Sequence, residues 1–293
     1  MLIKKDELKY DFQGAVFDLK QTRERTFLAW VFNQFLYGEV TGIQCGYWLY
    51  HAPHLNAAAF LAKQASEELS HVRRFLRILS LMGEKPASAH WAIRFLSTGM
   101  MGSSWGEHVA LEMAMGEGLV LSVFYALVDT IDDPEIHRIL ESSCAEEERH
   151  VEFGEKETRL WLERHPKQRR ELLGSALIQL MVLQRLKGVV VRSIAGVAGD
   201  HPVLSQFGGF YDHILARYSL RIERLGLSDR PLSELGTLTR FGLVARVPIA
   251  WLRAKVRRPA PLLTSTYLND PLLIAEIEGD RLRRSSPSLD SAE

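Results

Sequence analysis

Cysteine is nearly missing from this chain. Only Cys45 and Cys144 occur in 293 residues, which excludes a disulfide framework and any four-cysteine zinc or rubredoxin-type site. Neither sign of charge prevails: Lys+Arg and Asp+Glu both total 36, so no global field selects nucleic acid. The opening MLIKKDELKYDF is charged and lacks the apolar centre of a secretory signal. The longest uncharged stretch of the second half, Leu172 to Gln184, is too short to cross a bilayer. These absences lead us to expect a soluble, cytoplasmic protein. Strand signals are also scarce, and long helical patterns punctuated by Pro and Gly take their place.

The first helix is expected from about Lys20 to Tyr50, with His51-Ala52-Pro53-His54 as a turn. A second follows from about Leu55 to Met82, where Gly83 offers a left-handed stop and Pro86 blocks continuation. A connector rich in small and apolar residues runs from Gly83 to about Ser104. The third helix, about Trp105 to Ile131, ends at Asp132-Asp133-Pro134. Asp133 is then a natural cap for a fourth helix that stops near His165-Pro166. Weaker helical patterns cover about 167–198, 202–226 and 231–258. The division we expect is a lead-in at 1–19, a four-helix unit at 20–165, a helical extension at 166–278 packed on it, and a polar tail at 279–293. Between Leu235 and Asn269 there is no acid, whereas Arg240, Arg246, Arg253, Lys255, Arg257 and Arg258 are basic. That segment is either a solvated helix face or a docking surface for an acidic partner, an anionic substrate or a membrane.

Two short stretches share a frame. EELSHV at 67–72 and EEERHV at 146–151 both place a doubled acid before His-Val, giving Glu68-x-x-His71 and Glu147-x-x-His150. Residues three apart on a helix lie ~4.5 Å apart along the axis and close in azimuth, so each pair can offer a carboxylate and an imidazole to one ion. A two-metal site in a bundle then needs one more carboxylate from each remaining helix. Glu39 and Glu117 answer this, both following a glycine (Gly38, Gly116) and both eight residues before a tyrosine (Tyr47, Tyr125).

Turn placement is an independent test, because residues of an antiparallel hairpin share a height only when the turn lies midway. The midpoint of 39 and 68 falls between Pro53 and His54, and that of 117 and 147 is Asp132. Both coincide with turns assigned from capping chemistry alone. The connector's ~20 residues, at ~3.3 Å each, also suffice to return along a bundle. An all-α four-helix bundle with one long crossover and added C-terminal helices follows.

Four carboxylates and two imidazoles without a thiolate make a hard site that suits two irons, or Mn/Fe or two Mn. Glu68 and Glu147 are placed to bridge; Glu39 and Glu117 are terminal, and His71 and His150 give one nitrogen each. Glu112 is an alternative acid, although on an α-helix it stands about 140° from Glu117. Phe32, Phe35 and Ile43 beside Glu39, Phe75 and Ile78 beyond His71, and Val120, Leu121 and Phe124 beside Glu117 line a pocket or simply form core. Cys144, one turn before Glu147, belongs to the same set. Glu67, Glu146 and Glu148 are expected to point into solvent, and Gly38, Gly42 and Gly46 to let a neighbouring helix approach. The histidines outside the two frames are assigned no role.

The order Glu, Glu-x-x-His, Glu, Glu-x-x-His over about residues 20–165 resembles the ferritin-like diiron-carboxylate superfamily. The run from Glu147 to Phe153-Gly154-Glu155 is similar to the last ligand helix of bacterial members that oxygenate organic compounds. The resemblance implies reduction of a metal pair by an external electron donor, with O2 as co-substrate, and oxidation of a substrate or of iron. A ferritin cage subunit is shorter, a usual rubrerythrin needs four cysteines, and a ribonucleotide reductase small subunit usually begins its ligand set with Asp. We therefore expect an oxygenase-type enzyme for a small or carrier-bound, apolar or acyl substrate. The alternatives are a ferroxidase or peroxide scavenger and a non-catalytic helical adaptor.

Overall fold

The structure is a computed structural model that describes residues 1–99, 102–198 and 201–248. It is all-α; among the described residues the single β pairing is a bridge between Phe17 and Ile131. The principal helices are α1 (Thr22–Gly42), α2 (Leu55–Leu81), α3 (Trp91–Gly99), α4 (Trp105–Thr130), α5 (Pro134–Arg164), α6 (Arg169–Ala198), α7 (Phe207–Arg224) and α8 (Thr237–Val244).

Caps set the hairpins. His54 Nδ1 accepts the Ala57 N–H at 3.1 Å to open α2, and Gly83 closes it at φ +71°. Asp133 Oδ1 accepts from Glu135 and Ile136 at 3.0 and 2.9 Å, with Pro134 at the first helical position of α5. Both turns thus lie where the midpoint argument needs them. The buried faces of α1, α2, α4 and α5 meet in one core that includes Phe32, Phe75, Phe124 and Leu121. Each such fully buried Phe contributes about 1.5–3 kcal/mol.

Three elements differ from the sequence expectation. The first helix does not stay α to Tyr50: from Ile43 to His51 it tightens into a 3₁₀ helix. α4 is π-wound from His108 to Glu117, a longer departure than a one-turn bulge. The connector is not featureless either, since it contains α3. It is pinned to α1 by Asn33 Oδ1, which accepts from Ala87 N at 2.6 Å, and Gln34 Oε1, which accepts from His90 N at 2.7 Å.

Gly154 explains how the π segment is held. A Cβ there would meet Ala114 N at 2.7 Å and Val109 O at 2.9 Å, so α5 lies directly on the backbone of that segment. On its other side Leu172, Leu173, Ala176 and Leu177 of α6 cover Ala110, Leu111 and Ala114. α7 contributes Arg221, fully buried, whose guanidinium pairs with Glu155 at 2.5 Å and occupies the space that a side chain at position 118 would take. The lead-in is also anchored, with Ile3 and Leu8 wholly buried.

Two helical stretches, Trp105–Thr130 and Pro166–Ile194, are long and apolar enough by composition to cross a membrane. The second revises the sequence argument, which counted only the uncharged run inside it. The first is largely buried, as the core helix of a globular protein is.

Candidate metal centre

Six side chains from four helices converge between the hairpins. Ligand-type atoms of Glu39, Glu68, His71 and Glu147 lie within 4.8 Å of one another, and those of Glu68, Glu117 and His150 form a second group. Glu39, Glu68, His71, Glu147 and His150 are buried, and Glu117 is half-buried with its Oε2 fully enclosed.

Glu68 belongs to both groups, and Glu147, a member of the first, faces both histidines. Glu68 directs Oε2 to His71 Nδ1 at 3.8 Å and Oε1 to His150 Nδ1 at 3.5 Å. Glu147 directs Oε1 to His71 Nδ1 at 3.2 Å and Oε2 to His150 Nδ1 at 3.6 Å. Glu39 Oε2 lies 3.0 Å from His71 Nδ1. Glu117 lies on the other side, accepting from Gln64 Nε2 at 2.8 Å. Gly42 supplies clearance: a Cβ there would stand 2.8 Å from Glu68 Oε2. That corrects the helix-approach reading of the Gly38, Gly42 and Gly46 repeat, because Gly38 and Gly46 have nothing within reach of a Cβ.

The outward nitrogens of the histidines reveal residues that sequence reasoning misassigned. His150 Nε2 meets Glu67 Oε2 at 2.9 Å, and His71 Nε2 meets Glu146 Oε2 at 2.8 Å. The pairs are crossed, since each carboxylate comes from the helix opposite its histidine. Arg74 holds Glu146, while Arg149 and Lys63 hold Glu67. Neither acid points freely into solvent, and Glu148 accepts the buried Tyr125 hydroxyl at 2.6 Å. The signal was the doubled acid of both frames: its second member faces the centre, and its first reaches across to the opposite histidine.

Electrostatics follow from burial. Burial holds the Glu39 and Glu117 carboxyls well above the ordinary range. It also opposes ionisation of Glu147, but hydrogen bonds and charge from His150 and His71 outweigh it and draw that carboxyl down to about 2. Burial likewise opposes a charged His150, yet Glu147, Glu117 and Glu68 raise it to about 10. His71 is raised too, its burial overcome by Glu147, Glu39 and Glu68. The imidazoles thus act as counter-cations to the carboxylates. Among the six converging side chains, two enclosed atoms have no hydrogen-bond partner, Glu117 Oε2 and His150 Nδ1. Such orphans are costly, and a cation held between the carboxylates would satisfy both.

Glu112 does not join this set. In a π-wound segment residues five apart fall nearly in line, so the 140° argument against it fails. It is diverted instead by His108 Nδ1 at 2.8 Å and by the Gly102 N–H. His108, assigned no role from sequence, is buried and stacked 4.9 Å from Trp48. Burial pushes the Cys144 thiol up to about 12, and burial with the Glu68 and Glu117 charges raises Cys45 also. Neither sulfur is a ready thiolate. Tyr47 and Tyr125, alike in the sequence repeat, part company: Tyr47 is exposed and Tyr125 buried.

Of the apolar set, Phe35, Phe75 and Phe124 pack mutually with ring centroids 4.8–5.8 Å apart, and Phe32 contacts Phe75 at 5.9 Å. Leu121 and Cys144 are buried in the same cluster, and Val120 packs at its margin. Ile43 stands apart, half-buried on the 3₁₀ turn. No protein-family model matches the chain, and no curated protein matches it in sequence. The buried carboxylate–histidine cluster, able to hold a metal ion, therefore carries the functional reading by itself.

Proposed function

We propose that the chain is an O2-dependent dimetal oxidoreductase, with two irons at the carboxylate–histidine centre and an organic, apolar or acyl substrate. One observation supports this above others: two ligand groups share Glu68, with His71 and His150 turning Nδ1 inward and Glu147 facing both histidines. Glu39, Glu68, His71 and Glu147 would hold one ion, and Glu117, His150 and the shared carboxylates the other. Iron held there in its reduced form would supply the electrons that dioxygen accepts.

The protein's own contribution is orientation and exclusion. Glu67 and Glu146 would keep a proton on Nε2 of His150 and His71, so that the proton an entering cation expels is the one on Nδ1, leaving that lone pair directed at the centre. Phe35, Phe75 and Phe124, on the same helices as Glu39, His71 and Glu117, pack on one another as an apolar wall that a substrate chain would have to part or lie against. An external electron donor and a cytoplasmic setting belong to the same proposal.

The test is metal analysis after anaerobic loading with Fe(II), followed by O2 and an optical spectrum. About two irons per chain, with O2 uptake stimulated by an apolar carboxylic or acyl compound, is the expected result. A chain that retains no transition metal overturns the proposal. Continuous Fe(II) or peroxide turnover that no organic compound stimulates replaces it with an iron-handling role.

A further inference from the structure

Away from the metal centre, four arginines gather where α6, the α7–α8 connection and α8 meet. Arg169, Arg170, Arg230 and Arg246 line a cavity of about 350 Å³, and Asp229 is the single carboxylate in its lining. Asp229 pairs with Arg169 at 2.6 Å, which leaves three guanidinium charges in the groove without a matching acid among the described residues. The floor is apolar, made by Leu173, Leu227, Leu235 and Leu243. Gly174 fixes the geometry: a Cβ there would meet Leu243 O at 2.6 Å, so α8 sits directly on α6.

α8 turns Thr239, Gly242 and Leu243 to the groove, an i, i+3, i+4 face, and Arg246 joins them from the turn just past its end. Beside that face, Leu238 and Phe241 are 88% and 71% exposed. Spacing of three puts them on one side of the helix. A bulky aliphatic and a phenyl ring standing in water, next to uncompensated arginines, is the arrangement of an interfacial helix.

We propose that this end of the molecule docks on an anionic lipid surface, with lipid phosphates among the arginines and Leu238 and Phe241 in the acyl boundary. One observation favours lipid over an acidic protein. α6 begins at the groove, and its most apolar window is only 33% buried, with Met181 41% exposed. An acidic protein would match the arginines but gives no account of that apolar surface. The sequence from Leu235 to Asn269 also lacks any acid, so nothing along it would repel a negatively charged bilayer.

The experiment is flotation of the full chain with phosphatidylcholine vesicles, with and without roughly one-third phosphatidylglycerol. Binding is expected only to the anionic vesicles and weakens with salt. Arg170→Glu with Arg246→Glu should lower the vesicle partition at least about thirtyfold, near fivefold for each cation removed. Leu238→Ser with Phe241→Ser should also lower it while leaving helicity and melting temperature unchanged, because both side chains are exposed. Glycerol phosphate as a soluble competitor separates the surface from the isolated headgroup; full displacement at equal phosphate concentration overturns docking. Equal binding to neutral vesicles, no binding, or retention by a soluble acidic polypeptide instead of vesicles overturns it as well. None of these outcomes depends on metal at the buried centre, so the two proposals fail separately.

Discussion

The two Glu-x-x-His hairpins carry the same ligand types at nearly the same spacing, yet the structure finishes them differently. In the first, Glu39 already bonds His71 Nδ1, and the group is closed by four buried residues. In the second, Glu117 takes its hydrogen bond from Gln64, and Glu117 Oε2 and His150 Nδ1 remain unpartnered. The helices diverge as well: α1 tightens to 3₁₀ just after Glu39, whereas α4 is π-wound up to Glu117. A repeated sequence pattern thus yields one pre-organised half and one that an incoming cation must complete. The shared carboxylate of Glu68 couples them, with Glu147 facing the histidine of each.

The largest effect should come from breaking that sharing. Glu68→Ala is expected to abolish binding of both ions, whereas Glu117→Ala leaves about one per chain, because the four-residue group stays intact. Metal counting on both variants checks this; equal losses would mean the halves are not distinct.

A second test uses pH. His150 is raised to about 10 from an unfolded value near 6.5, so its stabilising charge is complete below the latter and lost as pH climbs through the former. Glu39 and Glu117, raised by burial, act in the same direction. The metal-free protein should therefore lose several degrees of melting temperature between about pH 6.5 and 10. Metal affinity should rise over that range, since binding expels protons. A metal-free melting temperature that climbs instead would contradict the imidazolium assignment.

The smallest effect sharpens the crossed pairs. Glu67→Gln and Glu146→Gln should each weaken metal binding by about 10–100-fold without unfolding the chain. Glu67→Gln is expected to act on the His150 ion and Glu146→Gln on the His71 ion. Competition with a chelating dye resolves the two steps.

Much of this centre was legible without coordinates, for a local reason. Helical phase makes Glu68 and His71 neighbours, and Pro53, Asp133 and Pro134 place the turns, so ligand heights follow from counting. Glu67 and Glu146 were misread because facing away from one's own ligand group was equated with facing water. On packed antiparallel helices it can mean facing the next helix. The π winding escaped because it depends on contacts at long range: Gly154 of α5 against Val109 and Ala114, with α6 leucines behind them. Glu112, kept as the alternative acid on helical angle alone, is turned to His108 and Gly102 by hydrogen bonds that the sequence does not display.

By itself, then, the sequence determined an all-α chain, the two hairpins and the six residues that meet, since periodicity and capping act within one or two turns of helix. Only tertiary structure decided which carboxylate orients which histidine, which half of the centre is already closed, and where four arginines separated by up to 77 positions form one groove. Those depend on which surfaces the packed helices present to one another, and no local pattern encodes that.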